Sequence, residues 1–369
     1  MNIFLVGGFL GSGKTTAIGR AVSLLLKEGK RTGVVTNDQG DQLVDTRFLQ
    51  GEYIPVKEVT GSCFCCNFGE LEKSIRSLEA EVSPDTVFAE SVGSCTDLVA
   101  TVVRPLYHFY GKDIRVVLSV FADVRSLVQY LFKREYLFKD NVAYIFEKQL
   151  EEADIIVVNK TDLLTAAELM LAREVIEEAY EDKIILYQNS LEDGNIRQWM
   201  ETAGNFERGR RPAGPLEVDY DKYGAGEAAL AWLDGEIGID TADATAIKTG
   251  LGLVDMIHER IRTAGYPIGH LKFLLSDGAW QKKISFTSIP DPASGLKSSP
   301  VDPKLKLPLP GSDRIAILLN ARVQTSPAIL KELVSDCIRE WELENRCRIT
   351  EGRWESFAPG YPRPTFRMK

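Results

Sequence analysis

Through the first two hundred residues, short apolar runs alternate with amphipathic stretches. The runs are Ile3–Val6, Thr32–Thr36, Thr86–Ala89, Ile114–Phe121, Ile155–Val158 and Ile184–Tyr187. They are continuous rather than alternating in polarity, which suits strands covered on both faces. Helical spacing lies between them. Thr15–Lys27 carries Ile18, Ala21, Val22, Leu25 and Leu26 at helical intervals and stops at Gly29; Leu71–Leu78 and Ala166–Tyr180 are two further helices. Strands and helices in turn predict an α/β domain with a mostly parallel, covered sheet over residues 1–205.

The pattern shifts to Gly, Pro and charge near Gly204–Gly226, so residues 206–226 are read as a linker. Beyond it, strands are predicted at Ala228–Leu233, Leu271–Leu275, Lys283–Thr287, Arg314–Leu319 and Arg348–Phe357. Helices are predicted at Ala244–Thr263 and Pro327–Leu343. Residues 227–369 are thus expected to form a smaller C-terminal α+β domain, with a ferredoxin-like layout as the candidate. Residues 288–313 hold six of the 16 prolines and read as a long extended loop or flexible segment.

Composition narrows the function classes. At roughly 150 residues per domain, a 369-residue chain suits two or three domains. The formal charge of −9 argues against nucleic acid or anionic lipid as the principal partner. No apolar run approaches the ~20 residues of a spanning helix, and Met1–Val6 lacks the basic start of a signal peptide. A cytoplasmic location is the expectation. Six cysteines are too few for a secreted disulfide framework, but three of them fall within four positions.

The sharpest chemical signal is Gly8-Phe9-Leu10-Gly11-Ser12-Gly13-Lys14-Thr15, which fits G-x-x-x-x-G-K-[ST] between an apolar strand and a helix. Glycines let backbone N–H groups wrap phosphate oxygens, and the helix N-terminus adds partial positive charge. Lys14 is expected on the β- and γ-phosphates and the Thr15 hydroxyl on Mg²⁺. Glu90 ends the strand Thr86–Ala89 as the metal-side acid, and Gly93 is placed to sense the γ-phosphate. Asp38, after the second strand, is a further candidate for the metal.

Asn159-Lys160-Thr161-Asp162 follows the strand Ile155–Val158. A carboxylate there accepts from guanine N1–H and N2–H₂, donors that adenine lacks. At about 1.5–3 kcal/mol for each bond to a charged group, the pair selects GTP over ATP. Lys160 is expected along the base plane, and Asn159 is expected to tie this loop to the phosphate loop. Gln188-Asn189-Ser190, after the last strand, is a weaker candidate for closing the base pocket.

Cys63-Phe64-Cys65-Cys66 must turn if its sulfurs are to converge, and Gly61 precedes it. Asn67 and Glu70 resemble an N-cap and its capping partner, which puts the thiols at a helix start, where thiolates are favoured. Soft thiolates select Zn²⁺, Cu⁺ or similar ions, and three sulfurs leave a coordination position open. Cys95 is a candidate fourth ligand. Buried inert cysteines and a redox dithiol are the alternatives. Cys337, Cys347 and the three histidines are assigned no role.

Taken together, Gly8–Thr16, Cys63–Cys66, Glu90-Ser91-Val92-Gly93 and Ala153-Asp154 leading to Asn159–Leu163 resemble the CobW-type P-loop GTPases. These are related to the accessory GTPases of urease and hydrogenase maturation. The resemblance covers about residues 1–200 of this sequence. It implies a metallochaperone or cofactor-insertion protein that binds and slowly hydrolyses GTP. Gly11, Gly13, Lys14, Thr15 and Thr16 would hold phosphate, with Ser12 and Gly8 in the same loop. Thr15, Asp38 and Glu90 would serve Mg²⁺, and Lys14, Thr15 and Glu90 the hydrolysis. Asn159, Lys160 and Asp162 would hold guanine, and Cys63, Cys65 and Cys66 a cargo ion. Zn²⁺ is the expected ion, with cobalt or another thiophilic metal as alternatives. The implied partner is a client metalloprotein or cofactor-dependent enzyme, and a homodimer is among the expected assemblies. A GTP switch with structural zinc that recruits a corrinoid or methyl-transfer enzyme is the competing reading; an ATP-dependent kinase is the third. The chain departs from many relatives in Asn37-Asp38-Gln39-Gly40, where they have Asn-Glu-Phe-Gly, and in lacking a His-rich loop. The latter weighs against storage of many ions.

Overall fold

The computed structural model describes residues 1–40, 44, 46–47, 54–132, 138, 140–207, 214, 216–287 and 311–369. Most of the proline-rich segment 288–313 therefore lies outside the described residues, as does part of the expected linker 206–226.

The chain forms two compact units. The first comprises Met1–Gln39, Asp45–Gly226 and Tyr361–Lys369; the second comprises Gly40–Val44 and Glu227–Gly360. In the first unit, β1 (Asn2–Gly7), β2 (Thr32–Asn37), β3 (Val56–Val59), β4 (Thr86–Glu90), β5 (Arg115–Asp123), β6 (Ile155–Asn159) and β7 (Ile184–Gln188) build one sheet in the order β3-β2-β4-β1-β5-β6-β7. Every pairing in it is parallel. The unbroken apolar runs are those of strands buried on both faces: β1, β2, β4, β5 and β6 are buried almost throughout. The site lies where these strands end and helices begin, the usual ligand crevice of an open parallel sheet.

Helix α1 (Lys14–Lys27) packs Ala17, Ile18, Ala21 and Val22 into a core with Phe4, Phe88, Phe121 and Trp199. Helix α2 (Phe68–Val82) follows the cysteine turn and buries Phe68, Leu71, Ile75 and Leu78. Next come a π-helical turn (Val99–Val103), α3 (Arg104–Tyr110), α4 (Val124–Leu131) and α5 (Asp140–Glu152). Helices α6 (Ala166–Ala179), α7 (Asp193–Gly204) and α8 (Tyr220–Ala228) complete the run, the last beginning within the stretch read as linker and ending two residues past it.

The second unit is an antiparallel five-stranded sheet with order β10-β9-β11-β8-β12, formed by β8 (Ala231–Thr241), β9 (Ile268–Ser276), β10 (Gln281–Phe286), β11 (Arg314–Val323) and β12 (Cys347–Phe357). Helices α9 (Ala246–Thr263) and α10 (Pro327–Glu344) share one apolar core with it. Without β10, the sequence β8-α9-β9-β11-α10-β12 is the βαββαβ series of ferredoxin-like domains. The strand expected at Ala228–Leu233 starts three residues later and runs to Thr241. Gly235 and Gly238 had masked it; they lie beneath Trp354 and Thr350, where a Cβ would clash. Arg322, fully buried, bonds Asp234 at 2.6 Å and lies 3.8 Å from the Trp232 ring. Cys337 belongs to this core, and His258 stacks on Phe286.

Candidate nucleotide and thiol sites

The phosphate loop is shaped by backbone that only glycine adopts comfortably. Gly8, Gly11 and Gly13 have φ of 122°, 73° and 93°. A Cβ on Gly8 would sit 2.1 Å from the Phe121 carbonyl oxygen, and one on Gly13 would sit 2.4 Å from Asn159 Nδ2. Ser12 Oγ is buried with no hydrogen-bond partner among the described residues. Such a free donor fits a phosphate oxygen. Lys14, the first residue of α1, points back into its own loop, donating to Gly8 O at 2.7 Å and Phe9 O at 3.2 Å. Thr15 is buried, whereas Thr16 is exposed.

Glu90 ends β4 beside this loop and accepts from Thr15 Oγ1 at 2.9 Å. A hydroxyl and a carboxylate oxygen held together suit a hard divalent cation such as Mg²⁺. Asp38 Oδ1 accepts the backbone N–H of Gln39 at 2.8 Å. Gly93 approaches the phosphate loop so closely that a Cβ would be 2.6 Å from Leu10 Cδ2.

The loop Asn159–Asp162 is tied to the Gly8–Thr15 loop through Asn159. Asn159 Nδ2 donates to Ser12 O at 2.8 Å, while its Oδ1 accepts from Ser190 Oγ at 2.8 Å and Ser190 N at 3.2 Å. Gln188 Nε2 donates to Ser190 Oγ. Asp162 is exposed in a short 3-10 turn. Lys160 has φ 62° and pairs with Asp123 at 3.0 Å. Burial pushes the Asp123 carboxyl up, but the Lys160 and Arg125 cations outweigh it and hold the group below its ordinary range. Asp123, the last residue of β5, had no motif to mark it.

The thiols converge. Cys66 N and Asn67 N both donate to Cys63 O, at 3.0 and 2.9 Å, which closes the turn. The three sulfurs lie within 4.8 Å of one another. Asn67 is the N-cap of α2, but its side chain makes no capping bond. Glu70 turns to Lys73 instead, so the expected capping box is absent. Around tetrahedral zinc, with Zn–S about 2.3 Å, sulfurs stand about 3.8 Å apart. Cys65–Cys66, at 3.7 Å, already matches; Cys63–Cys65, at 2.8 Å, would have to open. Hydrogen bonds from Cys65, Cys66 and Cys95 hold the Cys63 thiol well below its usual range. Hydrogen bonding to Cys63 in turn pushes the Cys65 thiol well above its usual range and Cys66 up to about 12, with burial adding to both. Cys95 is buried within hydrogen-bonding reach of Cys63 and Cys65, outside the tight triad.

Two connections join the sites. At the end of β2, Asn37 Nδ2 donates to Val59 O at 3.0 Å and Ser62 O at 2.7 Å, while its Oδ1 accepts from Phe64 N at 2.8 Å. One amide therefore fixes the cysteine turn to the strand that leads into Asp38. The second connection is the loop after β4, with Glu90 at Thr15, Gly93 at Leu10 and Cys95 at the thiols. Gln149 on α5 clamps that loop, donating to Gly93 O at 3.0 Å and Cys95 O at 2.8 Å. One helical turn on, Glu152 accepts from Thr96 Oγ1 and Val99 N. Burial is the main cause that pushes its carboxyl up to about 8. Nothing in the sequence marks Gln149 or Glu152, because only packing brings α5 to the loop.

A model of the CobW/HypB/UreG nucleotide-binding domain matches residues 2–186, half of the chain. The chain belongs to this family. Among curated proteins it is 31% identical over 203 residues to a zinc chaperone CobW from a Sinorhizobium species, a match covering 47% of this chain and 54% of the relative. It is 29% identical over 198 residues to the zinc chaperone YeiR of Escherichia coli, covering 52% and 56%. The chain thus spans about half the length of the curated relatives it matches. A crystal structure of HypB from Helicobacter pylori in complex with nickel aligns at 14% identity and a TM-score of 0.42, covering 58% of this chain and 91% of that one. Among the described residues, no helix is long and apolar enough to cross a membrane.

Proposed function

We propose that this CobW/HypB/UreG-family protein is a GTP-hydrolysing metallochaperone that carries a thiophilic ion, Zn²⁺ foremost, on Cys63, Cys65 and Cys66 and delivers it to a client protein. The observation that supports it most directly is the shared loop. Residues from Glu90, bonded to Thr15, to Cys95, beside Cys63 and Cys65, form one short clamped stretch. A γ-phosphate that draws Gly93 inward moves the same backbone that carries Cys95. The names of the curated relatives agree with zinc as cargo.

In this reading the phosphate loop, Lys14 and Ser12 hold the nucleotide, Asp162 and Lys160 hold guanine, and Asn159 braces both loops. Mg²⁺ would be held by Thr15 and Glu90, with Asp38 as a further candidate ligand, and would supply charge neutralisation at the β- and γ-oxygens. Lys14 must leave its loop carbonyls to meet phosphate. Catalysis by this chain is then positioning and charge offset on an in-line attack by water. No arginine finger is assigned, so slow turnover is expected, with a client or second copy completing the site.

The nearness of Cys95 favours a second reading. A closed four-sulfur site would make the zinc structural and the protein a GTP switch that recruits a partner enzyme. The two separate on cysteine variants. Anaerobic zinc titration against a chromophoric chelator should show one site in wild type, lost in Cys65→Ala, Cys66→Ala, with GTP binding intact. Cys95→Ala should keep a transferable ion if the triad is the carrier. Loss of all binding in that variant points to the structural site, and no thiol-dependent binding in wild type removes both readings.

A further inference from the structure

Residues 361–369 return to the first unit and lie along the cysteine turn. Their exposure alternates. Pro362 is buried and Pro364, Phe366 and Met368 are half-buried, while Tyr361, Arg363, Thr365, Arg367 and Lys369 are exposed. An extended peptide laid on a surface has this period of two.

Its contacts centre on the thiols. Arg363 N donates to Cys66 Sγ at 3.3 Å, Thr365 N to Cys65 O at 2.8 Å, and Thr365 Oγ1 to Cys66 O at 2.9 Å. Phe366 packs on Phe68, the first residue of α2, and on Phe109, with ring centroids 5.5 and 5.6 Å away. Arg367 Nε donates to buried Asp97 Oδ2 at 2.7 Å, and its Nη2 to Leu216 O at 2.8 Å. Tyr220 OH shares the same Asp97 oxygen at 2.7 Å. Met368 N donates to Ala100 O. Cys66 is the least buried of the three thiols, so the segment lies over the sulfur an incoming ligand would reach first. Its anchor, Asp97, is two residues past Cys95 on the loop that begins at Glu90.

We propose that residues 361–369 are a strap that closes the thiol site, limits access to Cys66 and must detach before an ion passes to a client. The proposal rests on the reading that Cys63, Cys65 and Cys66 carry the ion. A client's donor atom can replace a thiolate only by approaching it, and the strap occupies that approach. Movement of the Glu90–Asp97 loop would shift the strap's anchor together with Cys95.

The test uses Phe366→Ala, Arg367→Ala, and separately the milder Arg367→Gln; neither touches the nucleotide or thiol residues. The first readout needs no metal. Iodoacetamide modification of Cys66 in metal-free protein, followed by peptide mass spectrometry, should speed up about ten-fold in the double variant, the weight of one net hydrogen bond. Arg367→Gln should be intermediate. The second readout is zinc transfer to excess chelator, which should accelerate similarly while GTP-analogue affinity stays within about two-fold of wild type. Folded variants whose Cys66 reacts and whose zinc leaves at wild-type rates overturn the strap. If wild type holds no zinc on these thiols, the carrier reading fails, while the alkylation rates still judge the strap. If the double variant does not fold, Arg367→Gln decides.

Discussion

Asn37 offers the sharpest perturbation of the link between the two sites. Its buried amide makes three hydrogen bonds, to Val59 O, Ser62 O and Phe64 N. Asn37→Ala removes all three. At roughly 1 kcal/mol net for each bond, the loss is about 3 kcal/mol. A domain of this size shifts by roughly 2–4 °C per kcal/mol, so the melting temperature should fall by about 6–12 °C. Asn37→Asp should be at least as damaging, because it keeps the acceptor for Phe64 but turns a carboxylate toward two carbonyls. The functional consequence is separate from stability. With the cysteine turn released from β2, the ratio of zinc affinities with GDP and with a non-hydrolysable GTP analogue should move toward one, while GTP binding persists. The assay is thermal unfolding together with chelator-competition titration in both nucleotide states. A melting temperature within a degree of wild type would refute the energetic argument. A lowered melting temperature with an unchanged affinity ratio would show that coupling does not pass through Asn37.

Other expectations follow from single contacts. Gly13→Ala combines φ 93° with a Cβ 2.4 Å from Asn159 Nδ2, so GTP affinity measured by calorimetry should fall by about ten-fold or more; an unchanged affinity contradicts the loop geometry. Asp162→Asn should cost GTP about 1.5–3 kcal/mol and narrow its advantage over ATP; equal GTP binding in variant and wild type rules out its role at guanine. Glu152 has a folded pKa raised to about 8 by burial. The native state therefore holds a proton that the unfolded chain gives up. That contribution is complete below the unfolded carboxyl value and is lost as pH rises through 8, at up to about 1.4 kcal/mol per unit. Glu152→Gln should accordingly gain stability relative to wild type from pH 5 to pH 8 in urea unfolding; a pH-independent difference contradicts the assignment.

The strands of the parallel sheet were legible because burial on both faces leaves no polar alternation to confuse. Edge strand β3, Val-Lys-Glu-Val, was not: it is short and partly exposed. Helix α3 was hidden by its Pro105, which sits harmlessly in the first turn. In the second unit, Gly235 and Gly238 weakened the signal of β8, although each is needed beneath a cross-strand side chain. At the site, motif spacing announced the Gly8–Thr15 and Asn159–Asp162 loops, since close backbone approach demands particular residues. It could not announce Asn37 as a tie, or Gln149 and Glu152 as clamps, because an ordinary amide or acid gains its role only from what packing sets against it. The same holds for residues 361–369, whose alternation is visible in the sequence but whose partner, the cysteine turn, lies some three hundred positions earlier.

The most direct test of the account is zinc affinity in wild-type protein, measured anaerobically by competition with a chromophoric chelator, first with GDP and then with a non-hydrolysable GTP analogue. One thiol-dependent site whose affinity changes about ten-fold or more between the two states is predicted, a coupling of about 1.4 kcal/mol. Equal affinity in both states would contradict nucleotide-gated delivery.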